Sequence, residues 1–312
     1  MHPYFYILGK QIPAYGVMLA LAALVAFCIY FFYARHRKFP SEDAVNFFII
    51  CLISGLAGAL LLHIAMTLPG LIADWKVLVA PLPLKEAVEA VSQRLGGMVF
   101  YGGFIGAVLG VLIYTKLAKV PLLQYADLLV PVVPIAHAIG RVGCLLGGCC
   151  YGVQVAPSNP LSIVYPACSL GAPAGVHLLA VPPIESCCNL LIAGVLFLYS
   201  KHTSTPTSAS DSGNTDITLK NRVPGRVVAL YALLYAPVRF ILEFFRGDEI
   251  RGVYDGISTS QIISIVVFAG AAALFFAAPK LKDRALAAWE EYEHKQASLA
   301  ELRVKWKETH KK

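Results

Sequence analysis

Seven stretches of this chain read as membrane-crossing helices, and no other feature limits its fold so tightly. They run over about Ala14–Ala34, Ala44–Met66, Met98–Thr115, Tyr125–Ile139, Leu178–Ser200, Val227–Phe245 and Ile257–Ala278. An apolar run of about 20 residues crosses the hydrocarbon core as a helix. Inside lipid every backbone N–H and C=O must find a partner within the protein, which leaves helices or a closed barrel. A barrel would show short alternating segments instead of long runs. The fold class that follows is an all-α integral membrane protein. Only 14% of the 312 residues are charged and 57% are hydrophobic, whereas a soluble domain carries about 25% charged residues. The fourth stretch is short and holds Asp127 near its start, so it is expected to tilt or stop within the membrane. The first stretch lacks a preceding basic cluster and a small-residue cleavage site, and reads as an anchor, not a removable signal.

Basic residues set the expected orientation. Three follow the first span (Arg35, Arg37, Lys38) and two follow the third (Lys116, Lys119). Four flank the loop after the fifth (Lys201, Lys220, Arg222, Arg226), and nine lie in the tail. Together these alternating segments hold 18 of the 26 Lys and Arg residues. The N-terminus is therefore expected outside and the C-terminus in the cytoplasm. The net charge of +7 reads as a topology signal and an attraction to anionic lipid, and no nucleic-acid partner is expected. Residues 1–278 are expected to form the transmembrane domain, with a small extracytoplasmic insertion at about 141–178. The stretch 203–218 reads as a disordered cytoplasmic loop. Residues 280–312 read as a basic amphipathic helix on the inner leaflet or against a partner, with Leu281, Ala285, Trp289, Tyr292, Leu299, Leu302 and Trp306 on its apolar face.

Charges inside the spans point to chemistry. In RFILEFFRG, residues 239–247, Arg239, Glu243 and Arg246 follow helical spacing, which predicts a carboxylate between two guanidiniums on one face. Arg239 lies about six residues, or about 9 Å, from the outer end of its span. A buried Arg needs a partner or a polar cavity. The pair either pins this helix or opens an anion site, for which the planar fork of Arg suits phosphate. Arg141 stands in HAIGRVGC between Gly140 and Gly143, where glycine permits close approach of a ligand. His137, one turn earlier, is either a packing residue or a proton acceptor. Tyr101 precedes Gly102 and Gly103; it is either an interfacial aromatic or a hydroxyl aimed into a cavity that the glycines open. Tyr15 before Gly16 repeats the pairing.

Together, AYGVM at 14–18, MVFYGGFIG at 98–106, the run from Asp127 through Pro131 and Pro134 to GRVG at 140–143, RFILEFFRG at 239–247 and GISTSQIIS at 256–264 resemble the prolipoprotein diacylglyceryl transferase family. The similarity covers about Gln11 to Ala278. It implies a seven-helix enzyme of the bacterial cell membrane. Such an enzyme takes the diacylglyceryl group from phosphatidylglycerol and attaches it, as a thioether, to the lipobox cysteine of a preprolipoprotein, releasing glycerol 1-phosphate. The leaving phosphate of that reaction suits Arg141, Arg239 and Arg246, and the residues read together give a candidate site with Tyr101, His137, Arg141 and Arg239 as catalytic and Tyr15, Gly102, Gly103, Gly140, Gly143, Glu243 and Arg246 as substrate contacts. No cofactor and no metal are implied. The chain departs from the family pattern where Tyr101 stands at a catalytic His, where Cys144, Gly147 and Cys149 replace Asn, Asn and Glu, and in AVPPIES, where only Glu185 of the usual motif keeps its place.

Of eight cysteines, Cys144, Cys149, Cys150 and Cys168 are expected on the outer side, where disulfides form. A loop staple, small thiols, and a metal or redox site all remain open, and the C-x₄-C-C spacing matches no established zinc pattern. Besides the transferase, two other functions remain open: a paralogue that binds lipid or uses another acceptor, and a membrane thiol-redox or metal protein.

Overall fold

The computed structural model describes residues 3–7, 9–75, 82–95, 97–202, 223–248, 253–254 and 257–309. The expected loop at 203–218 lies outside them. Six helices among these residues are long and apolar enough to cross a membrane: Ala14–His36, Ser41–Ala73, Phe100–Ala118, Leu122–Gly147, Val181–Lys201 and Thr259–Leu302. The protein is an all-α integral membrane protein. The expected span at Val227–Phe245 is an 18-residue helix, Arg226–Glu243. It carries Arg226, Arg239 and Glu243 and is correspondingly less apolar.

The chain divides into two compact units, one of residues 1–39 and 123–290, the other of 40–122 and 291–312. The first unit opens with a hairpin, β1 (Tyr4–Ile7) and β2 (Lys10–Pro13), that leads straight into α1 (Ala14–His36). The fourth span is longer than its sequence suggests. It comprises a short helix at Leu122–Leu129, a 3₁₀ turn at Val130–Val132, and a helix at Val133–Gly147. Pro131 and Pro134 lack an N–H, and that is where the α-helical ladder is interrupted. Asp127, expected to weaken this span, is buried and accepts from the backbone N–H groups of Gly225 (2.7 Å) and Val228 (3.0 Å). It thereby satisfies donors that the start of Arg226–Glu243 leaves unpaired.

After Gly147 the chain leaves the helix and forms a small insertion. Strands Ser162–Val164 and His177–Leu179 pair antiparallel, and Tyr165, Ala172 and Leu178 make a local core. The helix Val181–His202 returns the chain to the bundle. The segment just past Arg226–Glu243 pairs with the start of the insertion: Val153 N–H donates to Phe245 C=O (2.9 Å) and Gly247 N–H to Tyr151 C=O (3.1 Å). A Cβ on Gly247 would stand 2.5 Å from the carbonyl oxygen of Gly152, so this approach requires glycine.

The last helix, Thr259–Thr309, begins with a reciprocal cap. Gln261 N–H donates to Ser258 Oγ (3.2 Å), and Ser258 N–H donates to Gln261 Oε1 (2.9 Å). This is the capping-box pattern. The helix continues without a break past Pro279 into the tail. Within the first unit, Trp289 packs edge-on against Phe39, and Gln124 donates to the Ala285 carbonyl. Trp289 and Ala285, on the first half of the tail's apolar face, therefore meet protein.

In the second unit, Ser41–Ala73 and Phe100–Ala118 pack along a glycine seam. A Cβ on Gly102 would stand 2.4 Å from Gly58 O, one on Gly106 2.4 Å from Ser54 O, and one on Gly103 3.3 Å from Gly55 O. Small residues allow such close helix approach in membranes. Asp43 accepts hydrogen bonds from Tyr114, Tyr292 and Gln296. It ties the far part of the tail to this unit.

Candidate active site

The first unit gathers a set of buried charges around Glu185, whose side chain is 0% exposed. Glu185 stands in the first turns of Val181–His202. Its Oε1 lies 2.9 Å from Arg141 Nη2, accepts from Tyr235 Oη at 2.9 Å, and lies 3.6 Å from His137 Nε2. A carboxylate taken out of water needs such partners, and stripping one from a buried pair costs about 3–5 kcal/mol. His137 and Arg141 are one turn apart on Val133–Gly147. Arg141 donates from Nε to His137 Nε2 at 3.2 Å, a contact that uses the lone pair of an imidazole carrying its proton on Nδ1. The ring packs edge-on against Tyr235, with centroids 5.2 Å apart.

Arg239 is one turn beyond Tyr235. Its Nη2 lies 2.6 Å from Glu243 Oε2 and donates to Ser260 Oγ at 2.9 Å. Its Nη1 is buried and has no hydrogen-bond partner among the described residues. The expected Glu243–Arg246 arrangement is corrected. The helix ends at Glu243, so helical spacing no longer governs Arg246. Arg246 instead makes a bidentate pair with Asp248, at 2.9 and 2.7 Å. Its side chain is 3% exposed.

The glycines separate into different roles. A Cβ on Gly143 would lie 3.0 Å from Met18 Cβ and 3.3 Å from a ring carbon of Tyr15, so Gly143 admits α1. Among the described residues, no atom outside its own helix lies within 4 Å of a Cβ on Gly140, which faces open space there. Gly102 and Gly103 lie in the second unit and serve the helix seam there. The atoms nearest a Cβ on either glycine are backbone and Cβ atoms of Ser41–Ala73. Tyr101, 38% exposed, starts a helix of that unit.

The sulfur atoms of Cys144, Cys149 and Cys150 lie within 4.8 Å of one another. Cys168 is exposed and outside this group, and all eight cysteines stand as thiols. Hydrogen bonds from Cys144 and Cys149 hold Cys150 below the ordinary thiol range, and the guanidiniums of Arg246 and Arg141 act in the same direction.

Sequence reasoning missed Tyr235 and Ser260 as site residues and saw Glu185 only as a surviving motif letter. Tyr235 was available as a signal, since Tyr235, Arg239 and Glu243 recur at four-residue spacing. The partnership of Glu185 with Arg141 was not, because it joins separate helices.

The family model for prolipoprotein diacylglyceryl transferase matches residues 3–277. The chain belongs to the prolipoprotein diacylglyceryl transferase family. Curated relatives agree. A protein of Clostridium perfringens (strain 13 / Type A) named phosphatidylglycerol–prolipoprotein diacylglyceryl transferase 2 is 33% identical over 279 residues, 89% of this chain and 95% of that one. A phosphatidylglycerol–prolipoprotein diacylglyceryl transferase of Clostridium tetani (strain Massachusetts / E88) is 32% identical over 262 residues, 84% of this chain and 91% of its own. One of Dehalococcoides mccartyi (strain CBDB1) is 28% identical over 269 residues, covering 84% and 87%. The stretches at 140–143 and 239–247 supply Arg141, Arg239, Glu243 and Arg246, and the stretch at 256–264 supplies Ser258, Ser260 and Gln261.

Proposed function

We propose that this family member is a transferase of the bacterial cell membrane that moves the diacylglyceryl group of phosphatidylglycerol onto the cysteine thiol of a prolipoprotein's lipobox. The observation that supports it best is the anchored arginine pair in the first unit. Arg141 is held by Glu185, and Arg239 by Glu243 and Ser260, with Arg239 Nη1 left over. In this reaction the acceptor sulfur forms a bond to the glyceryl carbon as that carbon's bond to phosphate oxygen breaks. The phosphate then gains a negative charge. Fixed guanidinium donors are suited to take up charge that develops in the transition state.

Two carboxylates keep the guanidiniums in place, so little reorganisation is needed when the phosphate departs. Tyr235 holds Glu185 in turn. His137 has its Nε2 lone pair committed to Arg141, and we assign it to positioning that arginine. Tyr15, against Gly143, and Gly140, beside open space, are proposed to line the lipid path; Tyr101 is proposed to orient a substrate through its hydroxyl. The test is direct. Purified protein is incubated with phosphatidylglycerol vesicles and a synthetic lipobox peptide, and the peptide is weighed by mass spectrometry. A gain equal to one diacylglyceryl group, absent with a Cys→Ser peptide, supports the reading; an unmodified Cys peptide overturns it.

A further inference from the structure

We propose that Cys144, Cys149 and Cys150 form a three-thiolate zinc site whose fourth position takes the acceptor cysteine. The metal-binding part stands on its own geometry, and the role of the fourth position rests on the transferase reading above.

The three sulfurs lie within 4.8 Å of one another. A tetrahedral zinc with Zn–S bonds of about 2.3 Å needs sulfurs about 3.8 Å apart. The thiols therefore need to converge by an ångström or less. The backbone makes this grouping deliberately. The helix Val133–Gly147 ends with Gly148 in the left-handed region, φ +70°. A Cβ on Gly148 would stand 2.4 Å from Ser169 Cβ, so glycine is required there. Two residues on, Cys150 is left-handed again, φ +59°, a conformation that costs a side-chain-bearing residue about 1–2 kcal/mol. The turn returns Cys149 to Cys144, whose carbonyl accepts both the Cys149 N–H (3.1 Å) and its thiol (3.7 Å). Sequence spacing hid the site because it depends on these two left-handed residues.

The surrounding charge fits a thiolate–metal centre. Three thiolates and one zinc ion carry one net negative charge, and a fourth thiolate makes it two. The positive groups facing the cysteines are Arg141, from the same helix, and Arg246, from the segment that pairs with Tyr151–Val153. Soft thiolate ligands select zinc or copper(I) over hard cations. Three-coordinate copper(I) would be complete with these sulfurs, whereas zinc seeks a fourth ligand. Three protein ligands with one open position is the pattern of catalytic zinc.

The chemistry of such a position addresses a gap in the transferase reading. The acceptor thiol must become a thiolate before it attacks. His137, the imidazole beside the arginine pair, already accepts from Arg141 through Nε2, so its lone pair is not free to take the proton of the acceptor thiol. A thiol bound to zinc is deprotonated outright, its proton passing to solvent. The thiolate then bonds to the glyceryl carbon, and the carbon–oxygen electron pair leaves on phosphate. A neutral thioether and a doubly charged phosphomonoester result.

The test uses the full chain, purified in detergent under reducing conditions, stripped with a chelator and reloaded with zinc or cobalt(II). One zinc per chain is expected by elemental analysis. The cobalt form should show thiolate charge-transfer and tetrahedral ligand-field bands. Adding a lipobox Cys peptide should shift those bands, and a Ser peptide should not. Cys149→Ser and Cys150→Ser should each weaken zinc binding by about 100-fold or more, since losing even an outer-shell partner costs about 10–100-fold. Cys28→Ser and Cys168→Ser should leave it unchanged. The proposal is overturned by a wild-type protein that binds no zinc or binds copper(I) alone. It is also overturned if Cys149 and Cys150 are recovered as a disulfide, or if the Cys peptide leaves the cobalt bands in place. Peptide lipidation by metal-free protein would overturn the role given to the fourth position and leave the transferase reading standing. Stoichiometric zinc with no lipidation would overturn the transferase reading and leave the zinc site standing.

Discussion

Arg141 donates from Nε to His137 Nε2 across 3.2 Å, one helical turn apart. The imidazole lone pair that a general base would use is thus already occupied, and by a cation. Gln at 137 can accept the same hydrogen bond through its amide oxygen but cannot take a proton. His137→Gln is therefore expected to keep turnover within about 10-fold of wild type, where loss of a positioned base costs about 10²–10⁴-fold. His137→Leu removes the acceptor and is expected to cost about 10–150-fold, the equivalent of a hydrogen bond to a charged group at about 1.5–3 kcal/mol. A pH–rate profile of both variants checks this. A loss above 10³-fold in the Gln variant, together with a missing acid limb, would restore His137 as the base.

Arg239 holds Glu243 and Ser260 through Nη2, and among the described residues its Nη1 has no hydrogen-bond partner. Lysine retains the charge and loses the planar fork. Arg239→Lys is expected to lower kcat by about 10²–10³-fold, the usual cost of removing a transition-state donor. Single-turnover lipidation of the peptide measures it, with size-exclusion profiles confirming intact protein. Turnover equal to wild type would remove Arg239 from the anion site.

The apolar runs made most of the helices legible, because bilayer thickness fixes their length. The end of the fourth span was not legible. The expected span stops at Ile139, before Gly140, Gly143 and Gly147, yet the helix continues to Gly147. Gly143 there is matched to Met18 and Tyr15 of α1, a contact that no local pattern announces. Arg246 shows the complementary error. Its three-residue distance from Glu243 implies a shared face only while the helix lasts, and the helix stops at Glu243. Pairs such as Arg141–Glu185 and Asp127–Gly225 join distant helices and depend on the assembled bundle.

The glycine seam predicts opposite signs at two glycines. Gly102→Val is expected to destabilise the protein by at least the 1–3 kcal/mol typical of overpacking, since its Cβ would stand 2.4 Å from Gly58 O. Gly194→Ala, in Val181–His202 with nothing within 4 Å of its Cβ, is expected to be neutral or stabilising, because Ala is the better helix former. Thermal midpoints in detergent compare the two. A fall for Gly194→Ala and none for Gly102→Val would refute the seam.

The distribution of Lys and Arg predicts sidedness. A cysteine-accessibility tag at Ser208 should react only from the cytoplasm, and one at Pro157 only from outside. Reaction of the two tags from the opposite sides would reverse every orientation inferred from the charges.

Asp127 offers a last test, of how the helix carrying Tyr235 and Arg239 is begun. Its two carboxylate oxygens accept from Gly225 and Val228 at 2.7 and 3.0 Å. Gly225, with φ +88°, turns the chain into the helix, and neither of these N–H groups has a carbonyl partner within that first turn. Asparagine keeps one acceptor oxygen and turns its amide NH2, a donor, toward the other N–H. Alanine leaves both donors in a buried site. Loss of a helix cap costs about 0.5–2 kcal/mol, and each buried donor left unmade costs about 1–3 kcal/mol. Asp127→Ala should therefore lose about 2–5 kcal/mol, and Asp127→Asn less. Because Asp127 touches the start of the helix and not the charged cluster at its end, kcat measured well below the unfolding midpoint should stay within about 10-fold of wild type in the Asn variant. Denaturant titration in mixed micelles, run beside single-turnover assays, separates the two effects. A large loss of kcat in Asp127→Asn with unchanged stability would mean that Asp127 serves the reaction directly and not the helix.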